Sequence, residues 1–386
     1  MKKKLIAVAV AGALGVPGVA LAQASTVQIY GTLVLNYNYL DKGNASPTVG
    51  TPKVDMFNAH DTNIGFKGEE ALGGGTSAWF QCESTMDVSG GSSAEGSAAF
   101  CGRNSAFGMK GNFGNIFAGI WDTPMKVVFG NFRPWSTSGA FGMGGLLWNE
   151  AQSNIGNSSR SFTRRQNNMW NYVSPNMGGF QVLGAFSSTN EATNQTNAST
   201  VQKARLWGLA AQYSNGPLVL GAGYEKHNDY NPANQANYTG GSDVGWQLGA
   251  AYTFMGKVKL SAIYADKKYD TAPGKDLKQK GWGIYADWAI QGPHRLRAGW
   301  THADDTSGNY VGNVGTFVGN NGAGQTKADL YGLQYAYAFS KRTELNFGYA
   351  RVNNDAKAVY RLQSLGPAGA PGESQSSWTL GAKHSF

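Results

Sequence analysis

The residues that could support catalysis are few and lie far apart in the sequence. The chain has five histidines, at His60, His227, His294, His302 and His384. No nucleophile motif and no metal-ligand spacing accompanies them. Because a catalytic site needs a base and a nucleophile that meet in one place, we expect no enzymatic activity, no metal site and no cofactor.

Cys82 and Cys101 are the two cysteines of the chain. In an oxidising compartment an even pair is expected to form a disulfide. The bond would close an 18-residue loop rich in Gly, Ser and Ala, which is worth about 3 kcal/mol against the unfolded state. Two buried free thiols are the alternative. Which of the two applies depends on whether the chain leaves the cytoplasm.

Residues 1–24 have the composition of a secretory signal peptide. Three lysines at positions 2–4 precede an apolar run over 5–21, and Ala22, Gln23 and Ala24 provide small residues where a signal peptidase reads the chain. We expect cleavage before Ser25 and export of residues 25–386. The alternative, an uncleaved membrane anchor, is disfavoured by the glycines and the proline within the run.

The basic residues recur at alternate positions and therefore share strand faces. Arg295 and Arg297 share a face with Thr301, Lys259 with Ser261, and Arg165 with Asn167 and Asn171, because side chains alternate along a strand. A face of this kind, facing water inside a narrow channel, would produce an electric field across it. The alternative is that each cation is a solvated wall residue with no special effect.

Composition limits the class of protein. The chain is rich in Gly, Tyr and Phe, only 15% of its residues are charged, and 32 basic residues stand against 24 acidic ones. Without the three lysines of the leader the net charge is +5, spread along the sequence. Nucleic-acid binding needs a concentrated basic face, so we expect no nucleic-acid partner. Many short strands joined by polar loops fit this composition.

Period-two alternation predicts strands along the whole mature chain. Residues 26–39 place apolar side chains at odd positions and polar ones at most even positions, and 62–68 and 76–84 follow as strands. Further strands are expected at 164–175, 179–187, 203–213, 217–226, 243–254, 257–268, 280–290, 294–302, 327–338, 342–352 and 376–386. With two more between 103 and 121 the total is sixteen, an even number that leaves both termini on one side.

Connections alternate between short and long. Tight turns are expected at 215–216, 255–256, 292–293 and 340–341, and long polar loops at 188–202, 227–242, 303–326 and 353–375. This sorting is typical of a membrane barrel with periplasmic turns and external loops. A soluble sandwich would instead need a second sheet to cover the apolar faces. We therefore predict an all-β fold, a sixteen-stranded antiparallel transmembrane β-barrel.

The longest interruption of the strand pattern covers 122–163, a 42-residue segment. It is too long for an ordinary hairpin loop, so we expect it to have a function of its own. Its charged residues include Asp122, Lys126, Arg133 and Glu150. Its aromatic residues would let it pack on the barrel wall, although Phe129, Trp135 and Trp148 could also touch aromatic or sugar solutes.

The C-terminal strand is amphipathic. Trp378, Leu380, His384 and Phe386 fall on one face, which is mostly apolar, and small or polar residues on the other. A membrane interface would accept these rings as part of an aromatic girdle. We also expect six other aromatic residues to belong to this girdle and not to a surface on which sugars stack: Tyr37, Tyr39, Trp246, Phe254, Trp288 and Trp300.

Five segments, in order, carry a family resemblance. Residues 63–75 (NIGFKGEEALGGG) resemble the strand-turn segment of the general porins of the Gram-negative outer membrane, of the trimeric beta-proteobacterial and neisserial type. Residues 27–31 (VQIYG) resemble their first strand, 103–114 the next hairpin, 171–175 (NYVSP) the sixth strand and 381–386 (GAKHSF) the closing strand. Val34 stands where the family usually has an acid and Ile120 where it usually has a base, so charge selectivity does not carry over directly.

The resemblance implies a passive channel for ions and small hydrophilic solutes in the outer membrane. It implies a homotrimer with one pore per subunit, whose 122–163 segment folds into the lumen as a constriction loop. Contacts with membrane lipid and lipopolysaccharide, and with the barrel-assembly machinery through Phe386, would follow. We expect Arg103, Arg165, Lys259 and Arg297 on the wall to face Asp122 and Glu150, with a mild preference for anions. The alternatives are a channel specific for one solute class and a plugged barrel acting as an adhesin or phage receptor.

Overall fold

A computed structural model describes residues 26–43, 53–89, 100–135, 139–148, 161–188, 204–230, 241–315, 317–319, 324–362 and 370–386. Within these ranges the chain forms one antiparallel sheet. Its strands are β1 (Thr26–Asp41), β2 (Lys53–Asn58), β3 (Asn63–Gly73), β4 (Thr76–Thr85), β5 (Ser105–Gly111), β6 (Gly114–Asp122), β7 (Arg165–Val173), β8 (Phe180–Ser187), β9 (Arg205–Asn215), β10 (Leu218–Asn228), β11 (Ser242–Phe254), β12 (Val258–Ala272), β13 (Lys275–Ala289), β14 (His294–Ala303), β15 (Ser307–Gly308), β16 (Ala328–Ala338), β17 (Thr343–Asn354) and β18 (Gln375–Ser385). Two short helices, Pro124–Phe129 and Gly144–Trp148, lie between β6 and β7.

The sheet closes on itself because β18 pairs with β1. At the seam the amide of Phe386 donates to the carbonyl of Gly31 (3.1 Å), and the amide of Gly31 donates to the carbonyl of Phe386 (3.3 Å). The Phe386 ring lies against the α-carbon of Gly31, where a side chain would collide with it. Closure leaves no free sheet edge, which a barrel surrounded by lipid requires.

The sixteen-stranded barrel expected from the sequence is confirmed. Two pairs of assigned strands each form one barrel strand: β2 and β3 pair with the two halves of β1, and β14 and β15 both pair with β13. The connection between the expected strands 26–39 and 62–68 therefore contains a strand segment, β2. The expected connection between 268 and 280 is instead a continuous hairpin that turns at Gly274, because β12 and β13 extend to Ala272 and Lys275.

The two faces of the sheet differ as the alternation predicts. Large side chains on one face remain exposed, and Trp378 and Leu380 are 49% and 50% accessible. We call this the apolar face, and it includes Leu35, Tyr37, Phe107, Trp170, Trp207, Leu248, Ile284, Leu333 and Phe347. The opposite, polar face carries the wall cations and is partly covered by the segment that contains the two helices. No helix among the described residues is both long and apolar enough to cross a membrane.

Tight turns occur where the sequence places them. At the turn between β11 and β12, Met255 and Gly256 both have positive φ, 50° and 66°, as the favoured two-residue hairpin turn requires.

Candidate functional site

The segment between β6 and β7 is fixed to the polar face through its backbone carbonyls. Gln247 Nε2 donates to the carbonyl of Met125 (2.8 Å), Lys259 Nζ to that of Asn131 (2.7 Å), and Ser261 Oγ to that of Phe132 (2.6 Å). Met125 lies in the first turn of the helix Pro124–Phe129, and Asn131 and Phe132 follow the end of that helix. Side chains from β11 and β12 donate to their carbonyls and so set the position of the segment on the wall.

Aromatic and aliphatic side chains of the same segment rest on glycines of the wall. The Phe132 ring lies over Gly249 and Gly221, and Trp135 lies over Gly299 and Gly332. Similar contacts join Pro124 to Gly208, Met125 to Gly223, Phe141 to Gly348 and Leu147 to Gly281. At each of these positions a Cβ atom on the wall would crowd the segment. The wall therefore approaches the segment more closely than other residues would allow.

Beyond the second helix, a cluster of buried aromatic rings joins the segment to two other connections. Trp148 and Phe317 are completely buried, and Phe317 packs near Tyr269 and Tyr360. Gln279 Nε2 donates a hydrogen bond to the Tyr360 hydroxyl. Burial raises the pKa of the Tyr360 phenol, so the group stays neutral.

Lys267 lies within this cluster and is 1% exposed. Its ammonium group stands 4.6 Å from the Phe317 ring centroid and 5.6 Å from that of Trp148. Within the described part of the chain its Nζ has no hydrogen-bond partner. The two rings therefore attract this charge through cation–π contacts.

Asp122 lies beside Arg165, one of the four expected wall cations, and beside Lys126 of the segment. Arg165 Nε is 3.5 Å from Asp122 Oδ1 and donates to Asn104 Oδ1 (2.8 Å), and Lys126 Nζ is 3.3 Å from the same carboxylate oxygen. Arg103 instead pairs with Glu83 on β4 (2.6 Å). Glu150 lies outside the described residues.

Arg297 forms a two-pronged ion pair with a wall residue. Its Nη1 donates to Glu344 Oε1 (2.8 Å), its Nη2 donates to Glu344 Oε2 (2.9 Å), and Nη1 also donates to Gln334 Oε1 (2.7 Å). Such planar pairing is the strongest geometry between arginine and a carboxylate. Lys259, the fourth cation, bonds to the Asn131 carbonyl described above.

A cavity of about 470 Å³ lies between the segment and the wall beside Arg297. Its basic residues are Arg133, Arg297 and Lys383, and its acids are Asp61 and Glu344. Amide side chains also line it, at Asn36, Asn38, Asn63, Gln334 and Asn346. Arg133 donates to the Trp135 carbonyl (3.3 Å) and lies over the Phe129 ring. Polar lining of this kind can hold water and charged solutes.

The sequence interpretation missed the wall acids Glu83, Asp287 and Glu344. Asp287 could have been found, because the 292–293 turn fixes a register that sets it directly opposite Arg297. Glu344 could not, because it reaches Arg297 across the intervening strand β16.

The remaining expected residues lie as follows. A disulfide joins Cys82 and Cys101, whose Cα atoms are 4.7 Å apart, as the pairing argument predicts. Trp378 and Leu380 extend from the apolar face, and His384 Nδ1 is 2.9 Å from the Thr343 hydroxyl.

A closed sixteen-stranded antiparallel barrel, apolar on one face and charged on the other, defines a channel-forming protein of the bacterial outer membrane. The comparisons with known proteins assign the family: residues 7–357 match the Gram-negative porin family, and the chain belongs to it. It is an outer-membrane porin and not an enzyme.

Relatives support this assignment over the whole chain. The chain is 29% identical to outer membrane porin protein 32 of Delftia acidovorans, over 100% of both chains. It is 26% identical to the major outer membrane protein P.IB of Neisseria meningitidis serogroup B, over 82% of this chain and 98% of the relative.

Solved structures share the fold. An anion-selective porin from Comamonas acidovorans superimposes with a TM-score of 0.74 at 24% identity, over 94% of this chain and 100% of that one. The trimer form of OmpT from Vibrio cholerae gives a TM-score of 0.64 at 14% identity, over 94% and 100%.

Proposed function

We propose that this porin is a homotrimer in which each subunit forms a water-filled pore that mildly prefers anions. The polar face lines the pore, and the segment 122–163 lies in the lumen and narrows it. The names of an anion-selective porin and of a trimeric porin among the structural neighbours are consistent with this proposal. We also propose that residues 1–24 are removed and residues 25–386 are exported. Both termini of the barrel would lie in the periplasm. Phe386 would serve as a contact for the assembly machinery, and lipid and lipopolysaccharide would surround the barrel.

The observation that carries the anion preference is the imbalance among the charges of the site. Three wall acids form ion pairs: Glu83 with Arg103, Glu344 with Arg297, and Asp287 with Arg295 (2.7 Å). Asp122 is shared by two cations.

Several cations are not neutralised in this way. Within the described ranges, Lys259, Arg133 and Lys383 form no ion pair with a carboxylate at 4.0 Å or less. An excess of positive charge in a narrow, partly desolvated passage lowers the free energy of anions there. The effect stays small because water and salt screen it.

The test is a reversal-potential measurement in a planar bilayer separating two KCl concentrations. We expect a potential of the sign that chloride permeation produces, with conductance steps in groups of three. A potential of zero, or of the opposite sign, would refute the anion preference without affecting the porin assignment.

A channel for one solute class is the second candidate, and the amide-lined cavity beside Arg297 favours it. One relative, 25% identical over 70% of both chains, is named monosaccharide porin. Saturable block of the current by one class of solute would support this candidate. Complete absence of current from folded protein would favour the plugged barrel instead.

A further inference from the structure

Two amide side chains of the cavity beside Arg297 meet over a glycine. Asn36 on β1 and Asn346 on β17 both pair with Gly381 on the strand between them, β18. A Cβ atom on Gly381 would collide with Asn36 Oδ1 and would lie 3.1 Å from Asn346 Nδ2. Because Gly381 has no side chain, the two amides share the space above β18 and form one patch of the cavity wall.

Each of these amides keeps one hydrogen-bonding atom for a solute. Asn36 Nδ2 donates to Asn58 Oδ1 (3.4 Å), and Asn346 Oδ1 accepts a bond from Gln334 Nε2 (3.3 Å). Within the part of the chain that the structure describes, the other two atoms, Asn36 Oδ1 and Asn346 Nδ2, form no hydrogen bond. The patch therefore offers a neutral acceptor and a neutral donor side by side.

This pair of atoms suits hydroxyl groups better than ions. A hydroxyl both donates and accepts, so two hydroxyls on neighbouring carbon atoms can bond to the amide donor and to the amide acceptor together. The acceptor Asn36 Oδ1 repels an anion, and the donor Asn346 Nδ2 repels a cation. Arg297, in the same cavity, already binds both carboxylate oxygens of Glu344.

The same cavity also has an apolar side. Trp135 and Phe141 line it and stack on each other, with ring centroids 5.2 Å apart and ring planes at 22°. The carbon-bound hydrogens of a polyhydroxylated ring are apolar and can pack against aromatic side chains. The cavity volume of about 470 Å³ lies within the range of small-molecule sites, about 300–1,000 Å³.

We propose that this cavity binds a neutral, polyhydroxylated six-membered ring, a cyclic polyol or a monosaccharide. Asn36 and Asn346 bond to two neighbouring hydroxyls, and Trp135 contacts the carbon-bound hydrogens. The inference rests on the second candidate function, a channel for one solute class, and names that class. The amides are the specificity-determining groups, because a solute without hydroxyls would leave both of them without a partner.

The test is block of the channel current in KCl by myo-inositol, in a planar bilayer. Tetraethylene glycol, a neutral solute of similar mass without neighbouring hydroxyls, corrects for volume exclusion. Wild type should show a saturable block beyond this correction. Asn346→Leu, which keeps the size of the side chain and removes the amide, should raise the half-blocking concentration by about fivefold or more. Gln181→Leu removes an amide of the polar face outside the cavity and is the matched control.

A second variant keeps the test decisive if Asn346→Leu does not fold, and heat-modifiability on gels verifies folding. Gly381→Ala places a Cβ atom against Asn36 Oδ1 and moves the amides apart without removing either. It should weaken the block by myo-inositol in the same direction as Asn346→Leu. Gluconate, an anionic polyol, tests the alternative that Lys383, another lining residue, selects an anion in this cavity.

Three outcomes would overturn the proposal. Equal reduction of the wild-type current by myo-inositol and tetraethylene glycol would mean that solutes only exclude volume. Equal half-blocking concentrations in Asn346→Leu and Gln181→Leu would show that the amide pair is not the site. Block by gluconate at lower concentration than by myo-inositol would assign the cavity to anions. Conductance in KCl alone tests the pore itself, so an open channel that myo-inositol does not block refutes the subsite and leaves the porin function intact.

Discussion

The hydroxyl of Ser261 donates a hydrogen bond of 2.6 Å to the backbone carbonyl of Phe132. Through this bond the wall strand β12 holds the residue whose ring also covers Gly249 on β11. Phe132 is thus held in two ways, by a hydrogen bond to its carbonyl and by the packing of its ring on Gly249. Movement of the segment would have to break both.

Replacing Gly249 with leucine should release this anchor. The new side chain would occupy the space of the Phe132 ring, and the well-packed wall cannot accommodate both. We expect noisier open-channel current and closure at lower voltage in single-channel recordings. Gly184→Leu is the control, since no atom lies within 4 Å of a Cβ there. Wild-type traces from Gly249→Leu would mean that the segment does not define the pore.

Neutralising Arg297 and neutralising Glu344 should shift the anion selectivity of the channel in opposite directions. Glu344→Gln removes the carboxylate nearest to the guanidinium, leaving Asp287 Oδ2 at 4.0 Å from Arg297 Nε, and should raise the chloride-to-potassium permeability ratio. Arg297→Gln should lower the ratio, and each change should be about twofold. The double variant should return close to the wild-type ratio. Reversal potentials in a KCl gradient measure all three. Shifts of the same sign from both single variants would rule out an electrostatic role for this pair.

Lys259 offers a different test because its ammonium bonds to a carbonyl and not to a carboxylate. Lys259→Gln removes a cation that, within the described ranges, forms no ion pair with a carboxylate, so the anion preference should fall by about twofold. Lys259→Arg retains the charge and should preserve the preference. Lys110→Gln, whose exposed cation pairs with Glu69, is a control for charge changes elsewhere. If Lys259→Arg lost the preference as fully as Lys259→Gln, geometry and not charge would be responsible.

The fold was predictable because lipid imposes a strict alternation on every strand that crosses it. The prediction failed where that constraint ends. Above Lys268 and Lys280 the hairpin of β12 and β13 carries polar residues on both faces, so its alternation disappears although pairing continues. Residues 53–58 depart from the pattern for the same reason, because Lys53 and Asp55 lie on the face that is apolar elsewhere, and they form β2 because β1 offers them an unpaired upper half.

The site was predictable only in part. Alternate residues of a strand share a face, so Arg297 and Lys259 could be placed on the polar face by counting odd and even positions along their strands. Their partners depend on register and side-chain reach. Asp287 follows from counting across one hairpin, whereas the Glu344 contact spans two strand spacings and depends on the tilt of the closed barrel. Glycines such as Gly249 and Gly332 were a usable signal, because polar-face glycines mark where the wall is approached closely.

Removing the disulfide should lower stability. Cys82 and Cys101 are separated by 19 positions, and opening a loop of this size relaxes the unfolded chain by about 3 kcal/mol. A Cys82→Ser/Cys101→Ser variant should therefore unfold at lower denaturant concentration than wild type. Reductant should shift wild type to the midpoint of the variant and leave the variant unchanged. A reductant effect on the variant would show that the shift does not come from this bond.

Replacing Lys267 with methionine should stabilise the barrel, although the change removes a cation–π contact. The ammonium group is 1% exposed and, within the described residues, has no hydrogen-bond partner. The attraction of a desolvated cation to aromatic rings is worth about 2 kcal/mol, and burying an ion costs several kcal/mol. Methionine keeps a flexible chain of similar length between Phe317 and Trp148 without that cost. We expect a gain of about 1–2 kcal/mol in the free energy of unfolding, measured by denaturant titration in lipid vesicles.

Lys268→Met, at an exposed neighbour that pairs with Asp276, should change stability by less than about 0.5 kcal/mol. If Lys267→Met unfolds more easily than Lys268→Met, the two rings stabilise the buried cation by more than its desolvation costs.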